Sequence, residues 1–229
     1  MTLPRLTLRA YFLSLCLCAM SLVFMEPILT HAVDSTSNSA VSLVVDSTIG
    51  NNCTGTVSLG TISGTGDTDS GGFNASHAAV CTVVVNNSTG YSFGWRVTTG
   101  TGAAGARTQT GHLNGFKTTS NKILAYTPAT PNTPEQFTVG ASDSRWAARL
   151  SSTSTTTGGG SMTWGSDGAS DTWLNVATGS TVEIANRSTA TTAGGDVQYV
   201  GFRVKVGANK IQPTDTYKAI VTFTATTNP

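Results

Sequence analysis

The sequence predicts an all-β protein: a single antiparallel β-sandwich with long loops rich in glycine, serine and threonine. Serine and threonine account for 64 of the 229 residues, glycine for 25 and glutamate for three. Long helices favour glutamate, lysine, leucine and alanine, so this composition argues against a helical bundle. Short apolar segments alternate with turn-forming Asn, Gly and Pro residues, which is typical of a sandwich of about eight to ten strands.

The first 32 residues have the organisation of a secretory signal peptide. Two arginines precede an apolar run at 11–25, and Thr30 and Ala32 place small residues at the −3 and −1 positions of a cleavage site. We therefore expect residues 1–32 to be removed and residues 33–229 to form one secreted β-sandwich domain without a transmembrane segment. The alternative is that the apolar run stays as an anchor, although it is short for a bilayer core of about 30 Å.

Two apolar segments with a turn between them are predicted to form the centre of the core. Residues 79–85 are apolar on both faces, whereas residues 91–97 alternate three aromatic side chains and a valine with other residues. The turn at 86–90 contains Asn and Gly. Strands joined by such a short segment commonly pair with each other, so we predict a hairpin with Cys81 beside it.

The other strands are predicted from the same period-two alternation. They are expected at 41–45 (the chain's own first strand), 56–62, 123–126, 137–139, 181–185, 197–206 and 217–226, with 145–150 as a strand or one helical turn. In the last two strands, alternate apolar residues share the inward face. The segments 100–115 and 127–134 are predicted loops. The low-complexity stretch 151–161 is predicted to be a mobile loop that buries nothing.

Two cysteines, Cys53 and Cys81, remain after the expected cleavage. An even number of cysteines in an exported chain indicates a disulfide, because the compartment is oxidising. Free buried thiols or a metal site are the alternatives, and His77 is the only other soft ligand close in sequence. We therefore predict a disulfide between Cys53 and Cys81.

The charge balance limits the classes of partner. Thirteen basic and twelve acidic residues leave a net charge of +1. Nucleic-acid binding requires a basic surface that displaces counterions from phosphates, and binding to anionic lipids requires a polybasic segment. We therefore expect no nucleic-acid partner, and a partner, if any, that is a protein or glycan of the cell envelope.

Three parts of the chain carry a resemblance to known proteins. They are Leu59-Gly60-Thr61, the turn Asn87-Ser88-Thr89-Gly90-Tyr91, and the chain end with Val200-Gly201-Phe202 and Pro213-Thr214-Asp215-Thr216-Tyr217. These parts resemble secreted surface proteins of candidate-phylum bacteria such as the Saccharibacteria. The resemblance implies an immunoglobulin-like, Greek-key sandwich on the cell surface. Asp215 stands where that family usually has glycine.

The cysteine pair and the closing strand also resemble the spore-coat and fimbrial-subunit group of pilin-like sandwiches. That resemblance implies subunits that assemble by strand addition, each receiving a strand from its neighbour. A donor strand needs alternating apolar residues, and residues 33–40 have almost none. We therefore favour a sandwich completed by its own strand at 41–45, and leave the oligomeric state open.

Catalytic residues are not predicted. His77 and His112 are the histidines of the expected mature chain, and neither a Gly-x-Ser-x-Gly elbow nor a His-Glu-x-x-His zinc motif occurs. His112 is accordingly expected to be a solvated loop residue. The favoured function is that of a non-catalytic structural or adhesion protein, secreted and associated with the cell surface, and not an enzyme.

Two tryptophans suggest an alternative function. Trp164 and Trp173 lie in polar segments with Asp167 and Asp171. Exposed aromatic rings beside acidic side chains are typical of carbohydrate-binding sandwiches, because a sugar ring stacks on the aromatic face while its hydroxyls bind the carboxylates. The alternative prediction is therefore a carbohydrate-binding module that uses these four residues. Anchoring of long loops by the two indoles is the simpler interpretation.

A weak calcium site is the one cofactor hypothesis that the sequence raises. Asp67 and Asp69 stand at the first and third positions of a loop that partly matches an EF-hand. Ala78 occupies the twelfth position, where an EF-hand requires a bidentate carboxylate. A polar turn, in which the aspartates accept hydrogen bonds from their own backbone, is the alternative.

Overall fold

The part of the chain that the computed structural model describes contains eleven β-strands and no helix. The described residues are 47–54, 56–64, 68–72, 78–97, 111–118, 120–151, 154–156, 162–166 and 171–229. The all-β prediction is therefore confirmed for these residues. The predicted signal peptide at 1–32 and the predicted strand at 41–45 lie outside them.

The strands vary in length from two to eleven residues. In chain order they are β1 (Ile49–Cys53), β2 (Thr68–Gly72), β3 (Ala78–Val85), β4 (Tyr91–Val97), β5 (Leu113–Gly115), β6 (Lys122–Ala125), β7 (Ser144–Leu150), β8 (Val182–Arg187), β9 (Asp196–Val206), β10 (Tyr217–Lys218) and β11 (Val221–Thr227).

The larger of two sheets is organised around β9. Its order is β1-β3-β9-β7-β6-β5-β10. Strand β2 also pairs with β9, along the part of β9 that follows the part paired with β3. The β6–β7 pair is parallel and the other pairs are antiparallel, so the prediction of a purely antiparallel sheet is wrong for this one pair. In β9, Val200, Phe202, Val204 and Val206 are buried, as the alternation predicted.

The smaller sheet has the order β11-β4-β8, with all pairs antiparallel. Its central strand supplies a row of fully buried side chains, Tyr91, Phe93, Trp95 and Val97, each 0% exposed. Phe93 stacks on Phe223 of β11, with ring centroids 5.8 Å apart. These residues share one hydrophobic core with the inward residues of β3, β7 and β9, so the two sheets enclose a common interior.

The predicted hairpin at 79–97 is wrong. β3 lies between β1 and β9 in the larger sheet, whereas β4 lies between β11 and β8 in the smaller one. The turn at 86–90 therefore carries the chain from one sheet to the other. Each strand has one strongly apolar face, and two such faces bury more surface when they oppose each other across the core than when they lie side by side. Val84 is 42% exposed, so β3 is not buried on both faces as expected.

The turn at 86–90 forms hydrogen bonds with the residue before β1 and with a residue after β11. Gly90 has a φ of +78°, a left-handed conformation that favours glycine. The backbone N–H of Thr48 donates to Asn86 Oδ1 at 2.7 Å. The backbone N–H of Asn228 donates to the carbonyl of Gly90 at 3.0 Å. The residues before β1 and after β11 therefore meet at the same turn.

The predicted C-terminal strand at 217–226 is two strands. β10 belongs to the larger sheet and β11 to the smaller one, with the crossing at 219–220. Val221, Phe223 and Ala225 are half-buried against the core, as inward residues should be. Period-two alternation continues through the crossing, so the sequence pattern alone does not show where the chain changes sheet.

Other segments also differ from the predictions. Residues 56–62 and 137–139 form no strand, although Val57, Leu59 and Ile62 pack against the core. Residues 145–150 were predicted to form either a strand or one helical turn, and they form part of strand β7. Strand β5 was expected to be loop.

The serine- and threonine-rich stretch 151–161 also differs where it is described. Ser151 and Ser154 are buried, and the backbone of Thr155 donates to the carbonyl of Val197 at 2.9 Å. Ser154 Oγ accepts the N–H of Tyr199 at 3.0 Å. These residues extend along the edge of β9, so the expectation that this stretch buries nothing is wrong.

The predicted disulfide is confirmed. Cys53 and Cys81 are bonded and are directly opposite each other in the β1–β3 register. Cys81 is fully buried, whereas the first four residues of β1 are exposed. The covalent bond therefore fastens an edge strand with little apolar surface to the core.

The contacts of Asp215 show why an aspartate is useful at this position, where the resemblance led us to expect glycine. Its carboxylate accepts the backbone N–H of Lys117 at 2.8 Å, that of Thr118 at 3.1 Å and the side-chain N–H of Asn121 at 3.0 Å. Burial raises the pKa of this carboxyl, but these bonds and one from the N–H of Thr216 outweigh burial and hold the pKa well below its usual range. An aspartate here thus orders the loop before β6.

Asp215→Asn should destabilise the protein at neutral pH and much less in acid. A carboxylate whose pKa is depressed by folding stabilises the folded state above the unfolded pKa of about 3.9, and this contribution is lost as the pH falls. Thermal unfolding of wild type and Asp215→Asn should give a difference in Tm that is largest at pH 7 and shrinks below about pH 4. A difference independent of pH would contradict this assignment.

Candidate functional site: the outer face of the larger sheet

The outer face of the larger sheet, opposite the common core, carries a cluster of charged and aromatic side chains. In β7, Trp146, Ala148 and Leu150 belong to the core cluster, so the alternating Ala147 and Arg149 point to the outer face. All five are buried. Both faces of this strand are therefore covered.

Two loop segments extend the larger sheet beside β7. Trp173 exchanges backbone hydrogen bonds with Glu135 at 3.0 and 2.7 Å, and Leu174 does so with Ala148 of β7 at 2.9 Å in both directions. Leu174 packs in the common core. Since neighbouring residues of an extended segment point to opposite faces, Trp173 is directed to the outer face.

Trp173 lies at the centre of a cluster of charged and aromatic side chains. The guanidinium carbons of Arg149 and Arg203 are 5.8 and 5.7 Å from its ring centroid, and the Phe137 ring is 6.1 Å away. Asp171 Oδ2 lies 3.8 Å from Arg149 Nη1 and 3.7 Å from Arg203 Nη1. These five residues and Tyr126, whose ring packs edge-on against Phe137 at 5.2 Å, form the outer-face cluster.

Arg149 is the most buried cation of this cluster, with 0% exposure. Its Nη2 donates to the carbonyls of Trp164 and Gly165 at 3.0 and 3.2 Å, and its Nη1 donates to that of Ser166 at 3.3 Å. A buried charge is tolerated when such partners compensate for lost hydration. Arg149 thereby fixes the 164–166 segment.

The alternative carbohydrate site required the two tryptophans to be exposed, and they are buried instead. Trp173 is 0% and Trp164 is 4% exposed. Trp164 packs edge-on against Trp95 in the common core at 5.6 Å, and its Nε1 donates to the carbonyl of Ile184 at 3.2 Å. Both indoles anchor loops, and guanidinium groups already lie over the Trp173 ring, so neither offers a face to a sugar.

The acidic residues of the same prediction separate. Asp171 is engaged by two arginines, as described above, and Asp167 lies outside the described residues. The structure therefore brings Asp171 and Trp173 together but places Trp164 in the other cluster. Arg149 and Arg203, which complete the arrangement, were not predicted.

The calcium hypothesis falls mostly outside the described residues. Asp67 is not among them, and for Asp69 only the backbone is described, paired with Lys205 in the β2–β9 ladder. Within the described ranges, no group of three or more His, Cys, Asp or Glu side chains could hold a metal ion. The same ranges include no helix long and apolar enough to span a bilayer.

His112 is half-buried instead of solvated. Its Nδ1 accepts the backbone N–H of Ala125 at 3.0 Å. Burial, and then the positive charges of Lys122 and Arg145, lower the pKa of the imidazole. The neutral ring is therefore favoured, and it serves as an acceptor that joins the start of β5 to the end of β6.

A second polar assembly, which the sequence did not predict, lies between the two sheets. Asp196, with 3% of its side chain exposed, accepts the Tyr91 hydroxyl at 2.9 Å, Arg187 Nη1 at 2.9 and 3.1 Å, and the Thr156 hydroxyl at 3.0 Å. Gln198 Nε2 donates to the Tyr91 oxygen at 2.9 Å. Burial is the main cause that raises the pKa of Tyr91 to about 12. This buried network joins β4, β8 and β9.

Comparison with known proteins gives no relative from which a role could be inferred. A scan of protein-family models, a search of curated proteins and a search of solved structures each found no match. We therefore infer function from the chemistry of these side chains.

Proposed function

We propose that the protein is a non-catalytic structural or adhesion domain that is exported and acts at the cell surface. The observation that carries this proposal is the disulfide that fastens β1 to β3. Structural disulfides persist in oxidising compartments and are rare in the cytosol of most organisms. The basic and apolar pattern of the N-terminal residues supports the same location.

The use of the polar side chains supports a scaffold role. Arg149, Asp196 and His112 each bind loops or strands of the chain itself, at the distances given above. Side chains that could perform chemistry are thus engaged in holding segments together. Such satisfied buried networks make a fold rigid, which suits a passive surface domain.

For the finer topology we propose an immunoglobulin-like, Greek-key sandwich, as in the surface proteins of candidate-phylum bacteria that the sequence resembles. Two sheets with a common core and a chain that crosses between them at 86–90 and 219–220 support this assignment. The segment at 56–62, which includes the resembling Leu59-Gly60-Thr61, packs against the core without forming a strand.

Assembly by strand addition is the less favoured alternative. Asn51 Nδ2 of β1 donates to the carbonyl of Phe223 in β11 at 3.2 Å, which links the edge strands of the two sheets. On β8, the carbonyl of Ile184 accepts the Trp164 indole. Edge strands covered in this way offer fewer backbone groups to an added strand, so we favour a self-contained domain.

Export and surface location can be tested directly in the organism that makes the protein. We expect intact mass analysis to find a mature chain that starts after Ala32, and a membrane-impermeant amine label to reach its lysines on whole cells. Electron microscopy of the purified protein should show single particles. Cytosolic protein with an intact N-terminus would overturn the proposal, and filaments would favour the fimbrial alternative.

Loss of the disulfide should destabilise the domain by about 3–4 kcal/mol. The bond joins residues 28 positions apart, and closing a loop of that size restricts the unfolded chain by about this much. Urea denaturation of a Cys53→Ser, Cys81→Ser double variant should show this loss. Reductant should lower the stability of wild type by a similar amount and leave the double variant unchanged; equal stability of both proteins would contradict the prediction.

A further inference from the structure

An open groove of about 300 Å³ lies at one side of the outer-face cluster. The lining side chains that matter for its chemistry are Tyr126, Thr127, Glu135, Thr138, Asp143 and Arg145. They come from the loop after β6 and from the start of β7. Strand β7 therefore borders the groove on one side, and the loop between β6 and β7 borders it on the other.

The polar groups of the groove include an accessible ion pair. Arg145 Nη2 lies 3.3 Å from Asp143 Oδ2, and their side chains are 26% and 47% exposed. A carboxylate and a guanidinium side by side offer hydrogen-bond acceptors and donors to the same ligand. Neighbouring hydroxyls of a sugar ring, each both donor and acceptor, match such a pair.

The backbone around the groove is fixed before any ligand binds. The Glu135 carboxylate accepts the N–H groups of Ala129 and Thr130 at 2.8 and 2.9 Å, and these two bonds are the main cause that lowers its pKa. The Tyr126 hydroxyl donates to the carbonyl of Gln136 at 2.9 Å. A preformed site loses less conformational entropy on binding than a mobile one.

The polar ends of the groove are held in the same way. The backbone of Asp143 donates to the carbonyl of Gly140 at 3.0 Å and accepts the N–H of Gly207 at 2.9 Å. Arg145 Nη1 donates to the carbonyl of Ala125 at 3.2 Å. The ion pair is thus directed into the groove by the β-sheet and by one tight turn.

We propose that this groove binds one ring of a neutral saccharide. Its volume is at the lower limit of ligand sites, which span roughly 300–1,000 Å³, and so suits a ligand of hexose size. The two carboxylates and one guanidinium carry a net charge of −1, which disfavours acidic sugars. The inference goes beyond the proposed scaffold role, because it gives the surface domain a glycan to adhere to.

Saturation-transfer NMR on the full mature chain tests this site. The probes are glucose, galactose, mannose and N-acetylglucosamine, with sialic acid as the acidic comparison. We expect transfer to at least one neutral sugar and none to sialic acid. Transfer to none of the neutral sugars, or preferential transfer to sialic acid, would overturn the proposal.

Matched variants localise the binding. Thr127 and Thr133 are both exposed and both precede proline, but only Thr127 lines the groove. Asp143→Asn and Thr127→Val should each weaken binding about tenfold or more, whereas Thr133→Val should bind like wild type. Circular dichroism should show that all three are folded. Binding that survives both groove variants would refute the site, and either result leaves the export and disulfide tests unaffected.

Discussion

Trp173→Ala should lower the free energy of unfolding by about 3–5 kcal/mol. The indole is 0% exposed, and it is the surface on which Arg149, Arg203 and Phe137 pack. Truncation removes this buried area and leaves a cavity beneath two cations. Urea denaturation measures the loss, and limited proteolysis should show faster cleavage in the loop before β7.

A conservative variant and a surface variant serve as controls for this prediction. Trp173→Phe keeps an aromatic face for the arginines and removes an N–H that has no partner among the described residues, so its loss should be clearly smaller. Phe116 is 49% exposed, and Phe116→Ala should change stability by no more than about 0.5 kcal/mol. Equal effects of Trp173→Ala and Phe116→Ala would show that the outer-face cluster does not stabilise the fold.

Asp196→Ala should also cost about 3–5 kcal/mol. The carboxylate is the common acceptor for Tyr91, Thr156 and Arg187, and its removal leaves the arginine charge without its partner in a largely buried place. Chemical denaturation at pH 7 measures the loss. Asp143→Asn, at a half-exposed carboxylate, should stay within about 0.5 kcal/mol of wild type.

A double-mutant cycle distinguishes the charge pair from simple loss of packing. If Arg187 is destabilising once Asp196 is gone, then an Arg187→Met, Asp196→Ala double variant should be less destabilised than the two single losses summed. Additive losses would show that the pair is not coupled and would contradict the network interpretation.

The inward faces of the main strands could be predicted from the sequence because alternation reports directly which side chains share a face. It identified the buried row of β4 and the valine-rich face of β9. The same pattern does not identify the partner strand. A five-residue turn such as 86–90 can join paired strands or carry the chain across the core, and the hairpin prediction failed for this reason.

The outer-face cluster could not be predicted because its members are brought together from distant parts of the chain. Local composition around Trp173 suggested exposure, but Arg149 and Arg203 arrive from β7 and β9 and cover the ring. One signal was present in the sequence: Arg149 lies in the apolar second half of β7, between Ala148 and Leu150. An arginine in that position needs a partner on its own side of the sheet, which indicates that something covers that face.

The meeting of Thr48 and Asn228 at the turn 86–90 has a mechanical consequence. Tension applied between Thr48 and Asn228 would act first on the hydrogen bonds around this turn. After those contacts yield, β1 can separate from β3 only as far as Cys53, where the disulfide to Cys81 still joins the two strands. At the other end β11 pairs with β4 through backbone hydrogen bonds that begin at Thr227 and Tyr91, so extension would continue further on that side than on the side of the disulfide.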